Sequence, residues 1–266
     1  MKLILDMGSN AIKGALFDER SGEILHEWRE VTELGRGFLP DGTLSEAAVR
    51  RTLTSAADIR KKAEKWASCP VEVHAIGTEA LRKSRNVGAI VAQFEAMFGA
   101  RLDVISGAEE ARLERVAVMH SAVVLAHDER PLLHLDMGGS STECSIIDAA
   151  GEAAFSGSFA FGRHRLVASH PERPAEFVEF LAILASQVAR FCPKYAVLAG
   201  SSIVAYVKST GDMASAIRPH GAVAASDLGA MAGSILVNAV SEIAEIPMFA
   251  THCGVRHGWI MDHLER

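Results

Sequence analysis

The 266-residue sequence predicts an α/β protein made of two related halves. Three observations carry that expectation. Short apolar runs alternate with longer amphipathic stretches, the pattern of a sheet covered by helices. That pattern starts afresh near Leu132. The restart also repeats the opening, because Leu5-Asp6-Met7-Gly8 returns 130 positions later (136 − 6) as Leu135-Asp136-Met137-Gly138. The same spacing carries Asp18 onto Asp148 without a gap. Two strand–turn–strand units closed by an Asp, at one spacing, predict an internal duplication.

Taken in order, Lys2 to Met7 reads as a buried strand, Gly8-Ser9-Asn10 as a turn, and Ile12 to Asp18 as the returning strand. A third strand covers Ile24 to Thr32, and Gly35, Gly37, Pro40 and Gly42 mark a loop. Ser45 caps a helix that runs to about Trp66. Its Arg60, Lys61, Lys62 and Lys65 read as a solvated face rather than a binding patch. A strand at Val71 to Ile76, a helix at Val87 to Phe98 and a strand at Leu102 to Ile105 follow, and a helix opens just after Ser106. In the second half, strands are expected at Leu132 to Asp136, Glu143 to Asp148, Ala153 to Phe161 and Tyr195 to Ala199. Helices are expected at Glu172 to Phe191, Asp227 to Val240 and Gly254 to Leu264.

Composition narrows the function classes. About half of the residues are apolar (49%), enough for a sizeable core. A net charge of −6 argues against non-specific nucleic-acid binding and requires any cations that meet a polyanion to be clustered. Cys69, Cys144, Cys192 and Cys253 are scattered with no CxxC spacing, which points to free thiols in a reducing compartment and away from zinc or iron–sulfur. No apolar run approaches the ~20 residues of a membrane span, and the first strand is too short for a signal peptide, so the cytoplasm is the expected location. His252, His257 and His263 lack i,i+4 spacing and read as incidental surface or boundary residues.

The chemistry-bearing residues gather at the turns. Tight turns of Gly, Ser and Asn aim backbone N–H groups and hydroxyls at one point and so suit phosphate oxygens. Ser9 and Asn10 form one such turn, and Gly138, Gly139, Ser140 and Ser141 form the other; ordinary hairpins are the plainer reading of each. Asp6 and Asp136, each just before its turn, and the nearby Glu143 are oxygen ligands of the kind magnesium takes, or else acceptors that only shape the turns. Ser106 and Glu109 fit a capping box, which gives Glu109 a structural part and leaves Glu110 spare in the same first turn. A fixed carboxylate beside a phosphate can deprotonate an attacking water; a glutamate in solvent is the competing reading. Arg82 is suited to clamping phosphate, and a solvated basic loop with Lys83 and Arg85 competes with that.

These motifs together resemble the exopolyphosphatase/guanosine pentaphosphate phosphatase (Ppx/GppA) family. The matches are Asp6-Met7-Gly8-Ser9-Asn10, Leu34-Gly35-Arg36-Gly37 with Leu44-Ser45-Glu46, Thr78-Glu79-Ala80-Leu81-Arg82, and Ile105 to Arg112. Asp136-Met137-Gly138-Gly139-Ser140-Ser141-Thr142-Glu143 and Gly254-Val255-Arg256-His257-Gly258 complete the series in the family's order.

The resemblance implies a fold of two ribonuclease H-like (actin-like ATPase) domains with a central cleft. The expected domains are residues 1–122, a reduced 123–253, and a terminal helix at 254–266 packing back across the junction. It implies hydrolysis of a terminal phosphoanhydride of polyphosphate or a guanosine pentaphosphate-like nucleotide with Mg2+, Glu110 being the general base. Asn10, Arg82, Gly138, Gly139 and Ser141 would meet phosphate. Departures from the pattern are Ala11 after the first turn, Ser140 in place of a third glycine, and Ala199-Gly200-Ser201-Ser202 in place of a Gly-Gly-Thr-like turn. They motivate a second reading, a polyphosphate or nucleotide sensor with weak or no turnover. A third, an actin-like kinase, is disfavoured by the setting of Glu110. No nucleic acid or membrane partner is expected, and a homodimer is left open.

Overall fold

The computed structural model describes residues 1–127, 129–210, 216–217, 219 and 227–264. The chain forms two compact units, Met1–Glu110 together with Val255–Arg266, and Ala111–Gly254.

The first unit opens with the antiparallel hairpin β1 (Lys2–Met7) and β2 (Ala11–Phe17), followed by β3 (Ile24–Val31) and a short 3-10 turn at Leu34–Gly37. Helix α1 (Glu46–Ala67) begins at Ser45, whose side chain accepts from the Ala48 N–H. The chain then adds β4 (Glu72–Gly77), α2 (Glu79–Lys83), α3 (Val87–Phe98), β5 (Leu102–Val104) and the first turn of α4 (Gly107–Met119). The sheet order is β3-β2-β1-β4-β5, with β4 and β5 parallel to β1. Leu3, Leu5 and Met7 point to the face covered by α1 and α3. Residues between them, such as Ile4, face the other way, where the terminal helix α10 (Val255–Leu264) packs on β1 and β2. There Trp259 meets Phe17 edge-on at 6.3 Å.

The second unit repeats the plan. Most of α4 and the short α5 (Ala122–Ala126) precede β6 (Leu132–Met137), β7 (Thr142–Ile147) and β8 (Ala153–Phe159). Helices α6 (Arg163–Ser169) and α7 (Ala175–Phe191), β9 (Tyr195–Ala199), α8 (Ser201–Thr210), α9 (Leu228–Ile243) and β10 (Met248–Ala250) complete it. Its order, β10-β9-β6-β7-β8, is that of the first sheet with each strand replaced by its counterpart. The equivalence extends to register: Asp6 lies opposite Lys13, and Asp136 opposite Glu143. This is the two-domain ribonuclease H-like, actin-like ATPase fold that the family resemblance implies.

Three local readings change. The helix expected from Glu172 starts at Ala175, because Pro174 supplies its N-cap residue and cannot extend it backward. The three-residue β10, held parallel to β9, has no periodicity to be read from sequence. His257 is buried rather than on the surface, with its Nε2 3.0 Å from a Glu27 carboxylate oxygen. Among the described residues no helix is long and apolar enough to cross a membrane. All four cysteines are free thiols.

Candidate active site

In the first unit the turn after β1 is drawn tight by the Gly8 N–H bonding the Ala11 carbonyl at 3.2 Å. The Ser9 carbonyl accepts from the Gly35 N–H at 2.7 Å, and the Asn10 carbonyl from the Thr32 and Glu33 N–H groups at 3.1 and 3.0 Å. The start of the 3-10 turn thus grips the carbonyl side of the hairpin. Both Ser9 and Asn10 are buried. The turn after β6 is built alike. Gly138 N–H bonds the Ser141 carbonyl at 2.9 Å, and the Gly138 and Gly139 carbonyls accept from Arg163 and His164 at the start of α6, each at 3.0 Å.

Gly162, at the N-cap of α6, makes that approach possible, since a Cβ there would lie 2.7 Å from the Gly139 backbone. In both turns the carbonyls are spoken for by the scaffold. The N–H groups of Ser9, Gly139 and Ser140 have no partner among the described residues, as a phosphate cradle requires.

The acids differ between the two units. Asp6 is buried, with Lys13 Nζ 3.5 Å from its carboxylate. The equivalent of Lys13 is Glu143, so in the second unit two carboxylates, Asp136 and Glu143, stand opposite each other across the β6–β7 ladder. Directly opposed residues share one face with Cβ atoms about 5 Å apart. Glu143 is buried and accepts from Ser158 Oγ at 2.9 Å. Gly200 packs against this pair. It has φ +99°, and a Cβ there would lie 2.3 Å from the Met137 carbonyl and 2.9 Å from Asp136 Oδ1. Gly254 approaches the other Asp136 oxygen in the same way, at 3.6 Å. All donors of the Asp136–Glu143 pair are hard oxygens, which fits magnesium; Asp6, already beside an ammonium, fits it less well.

Glu110 lies in the first turn of α4. Ser106 Oγ accepts from the Glu109 N–H at 3.1 Å, the capping half of the expected box. Glu110 is buried, 6% exposed, and accepts from Arg82 Nη1 at 3.0 Å. The same Nη1 donates to the Ile105 carbonyl at 2.9 Å. Nε and Nη2 of Arg82 have no partner among the described residues. Motifs 28 residues apart therefore meet in one charged pair. The candidate residues thus fall into a first-unit group, with Ser9, Asn10, Asp6, Arg82 and Glu110, and a second-unit group, with Gly138, Gly139, Ser140, Ser141, Asp136 and Glu143. Sequence reasoning missed the Arg82–Glu110 contact, the Lys13 partner of Asp6 and the close approach of Gly162 and Gly200. Only the Lys13/Glu143 asymmetry had a signal, in the 130-residue spacing.

Comparison with known proteins bears on the family and the fold. Residues 16–211 match the family model described as the Ppx/GppA phosphatase family. A guanosine-5'-triphosphate,3'-diphosphate pyrophosphatase from Photobacterium profundum is 32% identical over 145 residues, 53% of this chain. The match spans only 28% of that relative's length. An exopolyphosphatase from Cytophaga hutchinsonii superposes with a TM-score of 0.75 at 17% identity, over 99% of this chain and 97% of the other. The Aquifex aeolicus Ppx/GppA family member gives 0.72 at 19% identity, over 99% and 97%. At those identities the structures speak for the fold, and the family match speaks for kinship: this chain belongs to the Ppx/GppA phosphatase family.

Proposed function

We propose that this protein is a phosphohydrolase that releases terminal phosphate from inorganic polyphosphate or a guanosine pentaphosphate-like nucleotide. The observation that carries the reading is Glu110, a carboxylate buried at a helix start and fixed in place by Arg82. Family membership supports the same reaction class.

In this mechanism Glu110 takes a proton from water as the water oxygen bonds the terminal phosphorus. The bridging P–O bond breaks, and its electron pair leaves on the oxygen of the shortened chain. Arg82, anchored through Nη1, offers Nε and Nη2 to the phosphoryl oxygens. The N–H group of Ser9, in the same unit, holds charge that spreads onto those oxygens and needs no reorganisation to do so, while the Gly139 and Ser140 N–H groups give the second unit a phosphate cradle of its own. Asp136 and Glu143 would hold magnesium, which when bound neutralises phosphate oxygens.

The test is phosphate release from long-chain polyphosphate, short-chain polyphosphate and guanosine pentaphosphate, comparing wild type with Glu110→Gln. Loss of a general base is expected to slow release about 100-fold or more. The glutamine still accepts from Arg82, so binding and the unfolding midpoint are expected to stay close to wild type. Undiminished release in the variant would remove Glu110 from the mechanism. Saturable binding with no release by wild type would favour the sensor reading instead.

A further inference from the structure

The first unit carries a cleft that the phosphate chemistry does not use. It holds about 380 Å3 and is lined by Trp28 of β3 and by Lys62, Lys65 and Trp66 near the end of α1. β3 is the edge strand of its sheet, so this wall has no further strand beside it. Two of the chain's three tryptophans meet here although 38 residues separate them. His26 lies on the same face of β3 as Trp28 and packs against both indoles, tilted at 55° to Trp28. Its ring centroid is 4.5 Å from that of Trp28 and 4.8 Å from that of Trp66, and it stacks on Trp66 at 25°. The stack is thus supported from below, yet its last ring, Trp66, is 61% exposed. A flat, braced aromatic face left in water is a surface on which another planar ring can stack.

Charge around the cleft is uneven. Arg60 and Lys61 are paired along the helix with Glu64 and Asp58. Lys62 reaches across to Glu30 of β3 at 2.8 Å, which fixes its ammonium at the rim. Lys65 makes no ion pair among the described residues. The cleft therefore offers an aromatic platform flanked by one balanced and one unbalanced ammonium.

We propose that this cleft binds a mononucleotide, with its base on the exposed Trp66 indole that His26 backs and its phosphate on Lys65 and Lys62. Inorganic phosphate or polyphosphate alone would leave the exposed face of Trp66 unused. A nucleic-acid strand needs cations along several nucleotides. Here the adjoining hollow is lined by Glu30 and Asp58 as well as Lys61 and Lys62, and the chain is acidic overall. The volume lies in the range of small-ligand sites.

The experiment titrates the full chain with GMP and AMP, which contain no phosphoanhydride, by calorimetry and by quenching of indole fluorescence. Saturable binding is expected. Trp66→Ala should weaken it about tenfold or more, the worth of one base–aromatic stack, while Trp66→Phe retains most of it. Lys65→Ala should weaken it several-fold and flatten its salt dependence. Arg82→Ala, which removes the phosphate clamp of the hydrolytic group, should bind AMP as wild type does, which separates this cleft from the hydrolytic residues. Trp66 is exposed, so an unchanged unfolding midpoint is expected to certify the variants. The proposal is overturned by absence of saturation at millimolar nucleotide, or by binding that survives Trp66→Ala. Equal affinity for inorganic phosphate, or an oligonucleotide bound more than tenfold tighter than AMP, would overturn it as well.

Discussion

At the scale of single residues, backbone shape matters as much as charge. Gly200 sits at φ +99°, where a side chain is strained, with the Met137 carbonyl and the Asp136 carboxylate filling the space beside its α-carbon. An alanine there must push either the turn or Asp136 aside. Gly200→Ala is expected to cost about 1–3 kcal/mol in urea unfolding. If Asp136 and Glu143 hold magnesium, the variant also needs more magnesium for half-maximal phosphate release. A variant as stable as wild type, with the same magnesium dependence, would show that Asp136 is placed by something else. The Arg82–Glu110 pair makes a related point. Arg82 can place the carboxylate while turning its other nitrogens elsewhere, because a guanidinium has several donors in one plane.

At the scale of elements, α4 begins where its cap begins. Ser106 satisfies the Glu109 N–H, and the Glu110 N–H bonds the Ser106 carbonyl at 2.9 Å. Ser106→Ala removes the cap and should cost about 1 kcal/mol of stability. Because Glu110 lies in the turn that the cap tightens, a drop in kcat larger than the drop in stability explains is expected from paired unfolding and turnover measurements. Loss of stability alone would confine Ser106 to a structural part. This helix start was legible in the sequence because a capping box is local: four residues announce it. The two hairpins were legible for the same reason, and their repeat spacing exposed the duplication. Contacts made across the fold were not. Nothing near Arg82 says that it meets Glu110, since the meeting depends on β4 and β5 lying side by side. Nothing near Gly162 says that a loop more than twenty residues upstream will lie on it. Helix α6 stayed hidden because its seven residues, closed by the prolines that follow, are too few for a period to show.

At the scale of the whole molecule, the first unit is closed by the end of the chain. Residues 229 positions apart join where Arg256 Nε meets Glu27 at 2.9 Å, and α10 covers the sheet face opposite α1. Burial pushes the Glu27 carboxyl up, but the His257 ring beside it and the charge and hydrogen bonds of Arg256 outweigh it and bring the pKa down to about 2. The sign follows directly. A carboxyl with an ordinary value near 4.5 in the unfolded chain and about 2 in the folded one binds fewer protons when folded. Its stabilisation is complete above pH 4.5 and is lost as the pH falls from there towards 2. The side chain is about a third exposed (31%), so solvent screening reduces the effect to about 2 kcal/mol. Glu27→Gln should therefore lower the unfolding midpoint at pH 7 and narrow its gap to wild type as the pH is taken from 4.5 to 3. A constant gap across that range would mean that α10 is held by Trp259 and its apolar neighbours, with the Glu27 cluster adding nothing that titrates.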